Sequence, residues 1–390
     1  MTDGGKPSSN GDKNDQKPRK DFILVGLGGS AGGVKALMDF FGAMPPNSGM
    51  AFAVVLHLSP DHESNLAEVI QTRTTMPVHR VTETEKVEPN CVYVIPPNRQ
   101  LEINDGVVRL MPPQDGQGSR ITIDVFFRTL AETYRENAVC IVLSGTGKDG
   151  TNGLKRIKEC NGFAIVQDPK DAEHTEMPRS AIDTAIADWV LPVMDMPEAL
   201  MNFKRSSERL GLTRDDDAEV EREIKADDSL REILTLLRIR TGHDFTNYKK
   251  ATLIRRIARH LQIYDLPDLP SYLAYLKEHP EEIQSLLRNL LINVTNFFRD
   301  KAPFNALQKQ VIPRLFESKT SRDTIRVWSV GCASGEEPFS IGILLAEYAE
   351  KLNDPPKFQI FATDADDGVI AEARENSYPE TIQTDVSPDG

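Results

Sequence analysis

Short apolar runs alternate with amphipathic stretches along the first half of the chain. The apolar runs are Phe22–Val25, Phe52–Leu56, Val139–Leu143 and Phe163–Val166, and helical periodicity marks stretches between them such as Ile123–Tyr134 and Gly153–Lys158. This alternation is typical of parallel strands joined by helices. We therefore expect a doubly wound α/β domain with a mainly parallel sheet over residues 21–203. A β-hairpin is expected where Asn104-Asp105-Gly106 separates two strand-like runs.

The second half of the chain has a different pattern. The charge-dense segment 204–228 predicts a linker or an exposed helix. The helical periodicity after it predicts a small all-α module over residues 229–300. A second α/β pattern begins with the strand Ile325–Val330 and reaches another strand at Phe358–Phe361. Because two strands make no stable doubly wound sheet, we expect residues 301–390 to be the incomplete start of a Rossmann-like domain. Residues 1–20 are polar and predict a disordered tail.

Composition and charge narrow the class of protein. The chain is 39% hydrophobic and 27% charged, and no apolar run approaches the ~20 residues that cross a bilayer, so we expect a soluble cytoplasmic protein without membrane insertion. A net charge of −13 argues against nonspecific binding of nucleic acid. The four cysteines show no C-x-x-C spacing, which argues against a disulfide framework or a zinc ribbon.

The junction after the first apolar run carries a glycine cluster. Gly26-Leu27-Gly28-Gly29-Ser30-Ala31 satisfies G-x-G-x-x-A, a fingerprint of dinucleotide binding. That function also needs an acidic residue at the end of the next strand, and this strand ends in His57. A histidine is unsuited to holding a ribose and suited to acting as a general base. A nicotinamide oxidoreductase is therefore a poor interpretation of the loop.

Three predicted strands end near Ser30, His57 and Asp149, and the carboxyl ends of parallel strands lie along one edge of a sheet. A serine hydroxyl becomes a nucleophile when an imidazole accepts its proton and a carboxylate orients that imidazole. Taken singly, such a serine is typical of a helix N-cap and such an aspartate of a turn. Taken together they predict a Ser-His-Asp triad. A metal pair of His57 and His62 lacks a third ligand, so we expect no metal.

A second candidate site lies in the last α/β segment. The turn Gly331–Glu337 follows a strand, and the next strand ends in Asp364. A glycine turn followed by a strand-end acid is the pattern of adenosyl cofactor binding. An ordinary strand-to-helix turn with a capping acid remains the alternative at this point.

The quoted loops resemble a known family. "GLGGSAGG", "LHLSPDHES", "VYVIPPN", "VLSGTGKDGTNGL" and "MPRSAI" occur in the order found in the catalytic domain of the bacterial chemotaxis protein-glutamate methylesterase (CheB) family. The resemblance implies that Ser30 is the nucleophile, His57 the general base and acid, and Asp149 the residue that orients His57. It also implies cofactor-free hydrolysis of glutamate methyl esters on chemoreceptor cytoplasmic helices, and deamidation of glutamine by the same route. Thr146 stands where the family often has methionine.

"NVTNFFRD" and "RVWSVGCASGEEPFSIGI" resemble the chemotaxis receptor-glutamate methyltransferase (CheR) family, which uses S-adenosylmethionine. Matching positions imply a set of cofactor contacts made by Asn293, Thr295, Arg299, Glu337 and Asp364. The family continues past residue 390, so the expectation is that this half binds S-adenosylmethionine weakly or not at all and transfers no methyl groups. A signalling scaffold that binds receptors or cofactor without turnover is the alternative.

The helix "KKATLIRRIARH" brings several basic residues together, namely Lys249, Lys250, Arg255, Arg256, Arg259 and His260. From the residues alone, a solvated helix face is the simplest interpretation. The resemblance implies instead that this module lies against acidic receptor helices.

Overall fold

The computed structural model describes residues 22–57, 65–96, 99–104, 106–111, 123–209, 228–291, 295–299 and 301–378, with residues 382 and 386. The predicted tail, most of the predicted linker, Asp105, His62 and Asn293 lie outside the described residues. Within these ranges no helix is long and apolar enough to span a membrane.

Seven parallel strands form the sheet of the first domain. In spatial order they are β10 (Trp189–Leu191), β9 (Phe163–Gln167), β8 (Ala138–Val142), β1 (Leu24–Gly29), β2 (Ala51–Leu56), β5 (Val92–Val94) and β3 (Val78–Arg80). The chain leaves β1 for β2 on one side and later returns to β8 on the other, so the direction of winding switches between β1 and β8. In such sheets the crevice at the switch, beyond the carboxyl ends of the strands, is where function gathers.

Helices cover both faces of this sheet, and each face buries its own core. The helices on one face are α1 (Gly33–Ala43), α2 (Leu66–Gln71) and α6 (Met196–Arg209), and those on the other are α3 (Ile123–Tyr134), α4 (Thr151–Glu159) and α5 (Glu176–Asp183). Alternate residues of a strand enter opposite cores: Val25 packs with the first group and Leu24 with the second. The predicted doubly wound α/β domain is confirmed.

Strand β1 ends at Gly29, although the apolar run predicted an end at Val25. The extension depends on missing side chains. A Cβ atom at Gly26 would lie 2.7 Å from Phe126 Cε1, and one at Gly28 would lie 2.4 Å from Ile123 Cγ2. Glycines inside a strand often mark a close approach of this kind. They allow α3 to lie directly on the central strand.

A small antiparallel sheet packs beside α3. Its strands, in spatial order, are β4 (Thr84–Lys86), β7 (Val107–Met111) and β6 (Gln100–Asn104). β6 and β7 pair as the predicted hairpin, and the side chain of Thr133 on α3 donates a hydrogen bond to the carbonyl of Ile103 at 2.8 Å. The strands β3, β4, β5 and β10 were not predicted, because each has only three residues and too short a pattern to recognise.

The second half contains an all-α module and then a smaller α/β unit, as predicted. The module consists of α7 (Asp228–Thr241), α8 (Lys250–Ile263), α9 (Leu269–Glu278) and α10 (Glu282–Leu290). The α/β unit consists of α11 (Lys301–Ala306), α12 (Ile312–Phe316), β11 (Thr324–Val330), α13 (Glu336–Ala349), β12 (Lys357–Thr363) and α14 (Asp367–Glu375). β11 and β12 pair in parallel, and both Trp328 and Val330 are 67% exposed.

Helix α8 docks on the first domain through Arg259. Its guanidinium donates to the backbone carbonyl of Asn161 and lies 5.3 Å from the ring centre of Phe163 and 5.0 Å from that of Phe203. Such cation–π contacts are attractive, and more so when water is partly excluded. Asn161 and Phe163 lie at the amino end of β9, so the docked module sits at the edge of the sheet opposite to the predicted triad.

Two further hydrogen bonds join α6 to the all-α module. Gln262 donates to Ser207 Oγ at 2.8 Å, and Ser206 Oγ donates to Asp265 Oδ1 at 3.0 Å. The start of the segment predicted as a linker or an exposed helix is therefore helical. Residues 204–209 belong to α6, and the side chains of Ser206 and Ser207 are buried by these contacts.

The hypothesis of a receptor-facing basic helix is wrong for three of its residues. Arg256 donates to the carbonyls of Asn289 and Leu290 at 2.7 and 2.5 Å, where it satisfies the end of α10. His260 is 1% exposed and its Nδ1 lies 2.5 Å from Glu282 Oε1. Arg259 contacts the first domain. All three side chains are therefore engaged within the chain.

Replacing Arg259 with alanine should loosen the docking of α8. The change removes a charged donor to the Asn161 carbonyl and the contact with two aromatic rings, a loss of about 2 kcal/mol. Hydrogen exchange followed by mass spectrometry should show faster exchange in peptides that cover α8 and the start of β9. Lys250→Ala, an exposed change in the same helix, should leave exchange unchanged. Equal exchange in the two variants would contradict the docking role of Arg259.

Candidate active site

The sequence-predicted triad residues follow three neighbouring strands. Ser30 follows β1, His57 follows β2, and Asp149 lies in the loop between β8 and α4. β1 pairs with both β2 and β8, so these three strand ends meet at the switch point of the sheet. The sheet thus carries all three residues at one edge.

Ser30 is half-buried in the turn between β1 and α1. Its backbone N–H donates to the carbonyl of Ser144 at 3.0 Å, and its own carbonyl accepts from the N–H of Gly33 at 2.9 Å. Gly32 caps α1 with φ 76°, a left-handed conformation that glycine adopts without strain. A Cβ atom on Gly145 would lie 3.0 Å from Ser30 Cβ, so the glycine keeps the space beside the serine open.

His57 and Asp149 are in direct contact. The distance from His57 Nε2 to Asp149 Oδ2 is 3.1 Å, and the side chains are 22% and 8% exposed. The backbone N–H of His57 donates to the carbonyl of Gly29 at 3.0 Å, which continues the pairing of β1 with β2 up to the residue before Ser30. The imidazole therefore contacts a mostly buried carboxylate, and the backbone of His57 pairs with the residue before Ser30.

The carboxylate of Asp149 accepts three backbone N–H groups. Oδ2 accepts from Ile123 at 3.0 Å, and Oδ1 accepts from Asp124 and from Gly150, each at 2.9 Å. The N–H groups of Ile123 and Asp124 belong to the first turn of α3, where the helix dipole favours a negative charge. Asp149 thus caps α3 and faces His57 with the same carboxylate.

Ser144 is a site residue that the sequence analysis missed. Its hydroxyl donates to the carbonyl of Ala31 at 2.8 Å and accepts from the N–H of His174 at 2.9 Å. Its N–H donates to Gln167 Oε1 at 2.7 Å. From the loop after β8, the side chain therefore connects the turn that carries Ser30 to the loop between β9 and α5. The sequence signal for Ser144 was its position directly after a fully apolar run. Its partners could not be predicted because they are distant in sequence.

The start of α5 packs against the loop after β8, a contact that the sequence analysis missed. A Cβ atom on Gly145 would lie 2.1 Å from the sulfur of Met177, so this methionine packs directly on the glycine loop. Glu176 Oε2 accepts from the N–H of Gly147 at 2.8 Å. Thr146, which stands where the related family often has methionine, is exposed between these two contacts.

Asp364 is the strand-end acid predicted to contact an adenosyl cofactor. It follows β12, and its oxygens accept from the N–H groups of Ala333 at 2.8 Å and Asp366 at 3.0 Å. A cavity of about 430 Å³ lies between the all-α module and the carboxyl ends of β11 and β12, and Gly331 and Asp364 line it. Gly331 has φ 76°, so the turn after β11 depends on its glycine. This arrangement fits a nucleoside.

The other predicted cofactor residues that the structure describes, Thr295, Arg299 and Glu337, lie elsewhere. Thr295 and Arg299 line a second cavity, of about 710 Å³, between the first domain and the second half. Arg299 forms an ion pair with Glu159 of α4. Glu337 accepts from Ser329 Oγ at 2.8 Å. The described residues therefore do not surround a single cavity, and their contact with a cofactor stays a prediction. Over the part of the chain that the structure describes, no group of three or more residues is arranged to hold a metal ion.

Three sequence families match the chain in succession. Residues 25–200 match CheB methylesterase, residues 228–291 match the all-alpha domain of CheR methyltransferase, and residues 293–389 match its SAM-binding domain. The first segment contains all three predicted triad residues. The last contains all five predicted cofactor residues.

Individual relatives match different parts of the chain. An uncharacterized 104.1 kDa protein of Rhodobacter capsulatus is 34% identical over 82% of this chain and 35% of its own length. A putative protein-glutamate methylesterase/protein-glutamine glutaminase of Leptospira interrogans is 32% identical over 48% of this chain and 97% of its own length. A chemotaxis protein methyltransferase of Borreliella burgdorferi is 32% identical over 39% of this chain and 56% of its own length. The chain thus spans about a third of the Rhodobacter protein.

Replacing Asp149 with alanine should lower the stability of the first domain as well as disturb His57. The change leaves the first turn of α3 without its capping carboxylate, which costs about 1–2 kcal/mol of unfolding free energy. Urea unfolding followed by the fluorescence of Trp189, which packs against Phe163, measures this cost. Ser30→Ala should shift the curve by less than about 0.5 kcal/mol, because it removes one half-buried hydroxyl and keeps the backbone hydrogen bonds of residue 30. Superimposable curves for the two variants would show that Asp149 does not stabilise α3.

Proposed function

The chain belongs to the CheB methylesterase family, continued by both domains of a CheR methyltransferase, and from this premise we propose that it hydrolyses glutamate methyl esters on chemoreceptors. The contact of His57 Nε2 with Asp149 Oδ2, at the strand edge that also carries Ser30, supports the proposal most directly. A serine activated through an imidazole and a carboxylate is suited to acyl transfer from an ester. Chemoreceptor cytoplasmic helices are the proposed substrate.

In this proposal Ser30 Oγ attacks the γ-carbonyl carbon of the methyl ester while His57 accepts the hydroxyl proton. Because Nε2 of His57 faces Asp149, Nδ1 is the nitrogen assigned to that proton. The tetrahedral intermediate collapses as His57 returns the proton to the leaving methoxy oxygen, and methanol departs. Water then attacks the acyl-enzyme with His57 again as the base, and this step releases the glutamate side chain and restores Ser30.

Asp149 and the start of α1 have separate tasks in this mechanism. The negative charge of Asp149 stabilises the imidazolium that forms when His57 takes the proton, and its backbone contacts prevent the carboxylate from turning away. The amino end of α1 lies next to Ser30, so its N–H groups are suited to stabilising the oxyanion. A glutamine side chain would follow the same route with ammonia as the leaving group.

S-adenosylmethionine is the proposed ligand of the second half, and when bound it supplies an activated methyl group. Asp364 is the residue proposed to hold the ribose, because its carboxylate lines the cavity above β11 and β12. Arg299, proposed as a further contact, is engaged by Glu159 of the first domain. This ion pair favours the alternative in which the second half acts as a scaffold that binds receptor or cofactor without methyl transfer.

Replacing Ser30 with alanine should abolish methanol release from a chemoreceptor fragment that carries γ-methyl glutamyl esters. Loss of the nucleophile should cost at least about 1,000-fold, and His57→Ala should cost a similar factor because the two residues act as a unit. A fluorophosphonate probe should label the wild-type chain at Ser30, as mass spectrometry of the labelled peptide would show. Ser321→Ala, an exposed change in the second half, is the matched control. Methanol release by Ser30→Ala at the wild-type rate would refute the assignment.

The role of Arg299 can be tested through its partner. Replacing Glu159 with glutamine removes the negative charge that pairs with Arg299. If Arg299 contacts the cofactor, S-adenosylhomocysteine should then bind about three- to fivefold more tightly, because a partly exposed ion pair contributes at most about 1 kcal/mol. Isothermal titration calorimetry measures this affinity. Glu132→Gln removes a neighbouring carboxylate that pairs with Arg156, and it should have no effect. Identical affinities for both variants would remove Arg299 from the cofactor site.

A further inference from the structure

Two aspartates join the first turns of α3 and α4, and each accepts a backbone N–H of the other helix. Asp149, just ahead of α4, accepts the N–H of Asp124 in α3 at 2.9 Å. Asp124 in turn accepts the N–H of Gly153 in α4 with its own Oδ1, at 2.7 Å. The first turn of α3 is therefore capped by Asp149 from the loop before α4, and the first turn of α4 is capped by Asp124 of α3. We call this arrangement the aspartate clasp.

The clasp depends on glycine at the contact between the helices. A Cβ atom on Gly153 would lie 2.5 Å from Phe127 Cβ and 3.0 Å from the carbonyl oxygen of Asp124. Gly150 has φ 92°, and a Cβ atom there would lie 3.0 Å from Ile123 Cγ2. The helices are thus as close as their backbones allow. A small shift of α3 would move the N–H groups that hold Asp149.

The two carboxyl groups of the clasp differ in their surroundings. Asp149 accepts three N–H groups and faces His57. Asp124 is only 5% exposed, and its second oxygen, Oδ2, is buried with no hydrogen-bond partner among the described residues. An ionised carboxylate there would leave half of its charge without a donor, which is costly in a buried site.

Burial and the nearby charge of Asp149 raise the pKa of Asp124 to about 8, against the opposing effect of the Gly153 N–H and of Arg128. The charged groups that face Asp124 are Asp149 ahead of α4 and Arg128 on α3 itself, with His57 behind Asp149. The neutral form of Asp124 is therefore favoured at neutral pH, and its Oδ1 still accepts from the Gly153 N–H. A neutral acid takes part in the clasp without placing a second negative charge beside Asp149.

We propose that Asp124, in its neutral form, is a positioning residue for the esterase reaction: it fixes the start of α3, and thereby the carboxylate of Asp149, against His57. The inference rests on the proposed esterase function. Asp124 touches neither the substrate nor the reacting atoms and acts only through Asp149. Its ionisation would add a buried charge that repels Asp149 and weakens the clasp.

Two substitutions of Asp124 separate the effect of losing its charge from the effect of losing its hydrogen-bond acceptor. Asp124→Asn keeps an acceptor for the Gly153 N–H and is permanently neutral, so kcat for methanol release at pH 7 should stay within about threefold of the wild-type value. Asp124→Ala removes the acceptor and leaves a gap, so kcat should fall by about tenfold to 100-fold while KM changes little, because a small misplacement of a catalytic group is enough. The substrate is the same γ-methyl-esterified receptor fragment.

The pH profile provides a readout that a purely structural role would not move. In the wild-type chain kcat should fall as the pH rises through about 8, and in Asp124→Asn this alkaline decline should be absent. The free energy of unfolding should also decrease as the pH rises. Because the folded-state pKa of Asp124 is above its unfolded value, the stabilisation present in acid is lost progressively as the pH rises from the unfolded pKa to about 8. Urea unfolding of Asp124→Asn should lack this part of the pH dependence.

The outcomes distinguish this inference from the proposed function. If the wild-type chain releases no methanol, the esterase function fails, and the role of Asp124 fails with it. If the wild-type chain is active and Asp124→Asn loses as much kcat as Asp124→Ala, or has the same alkaline decline as the wild type, the esterase function stands and the role of Asp124 is overturned. Should Asp124→Ala fail to fold, the asparagine variant still decides through its pH profile.

Discussion

The direct contact between α3 and β1 is the constraint on which the rest of the first domain depends. Gly26 and Gly28 leave no side chain between the strand and the helix, so Phe126 and Ile123 press against the backbone of the central strand. This contact sets how closely α3 lies on the central strand. Its first N–H groups arrive at the loop after β8, where they hold the carboxylate of Asp149. A sheet with side chains at these two glycines would hold the helix farther away and leave that carboxylate without its donors.

Much of this arrangement was predictable from the sequence, for identifiable reasons. Helix Ile123–Tyr134 was predicted with its observed bounds because its apolar positions follow one face without interruption. The strands β2, β8 and β9 were placed to within a residue or so because fully buried strands have continuous apolar runs. The end of β1 was misplaced because glycine carries no hydrophobic signal, although its absence of a side chain is what the packing requires.

The parts that could not be predicted are those that depend on residues distant in sequence. The strand ends indicated Ser30, His57 and Asp149, and the fold places all three at one edge, while their catalytic roles stay a prediction. Nothing local revealed that Ser144 connects the loops of Ala31 and His174, or that Asp124 pairs with a glycine in the next helix. The basic helix was misjudged for the same reason. Its sequence shows charge, but the partners of Arg256 and Arg259 are contributed by α10 and by the first domain.

The position of α8 at the amino ends of the strands bears on how the protein can be divided for study. Phe163 and Phe203 are buried, and the guanidinium of Arg259 covers both rings from the side of the all-α module. A cut within residues 210–227 would leave the backbone of the first domain intact and uncover these rings. The isolated fragment would then expose an aromatic patch that the whole chain conceals, so its solubility and tendency to self-associate would reflect the cut surface. Moving the cleavage point within residues 210–227 would not correct this. Polar substitutions on the exposed aromatic patch, or retaining α8, would make the fragment behave as it does within the intact chain.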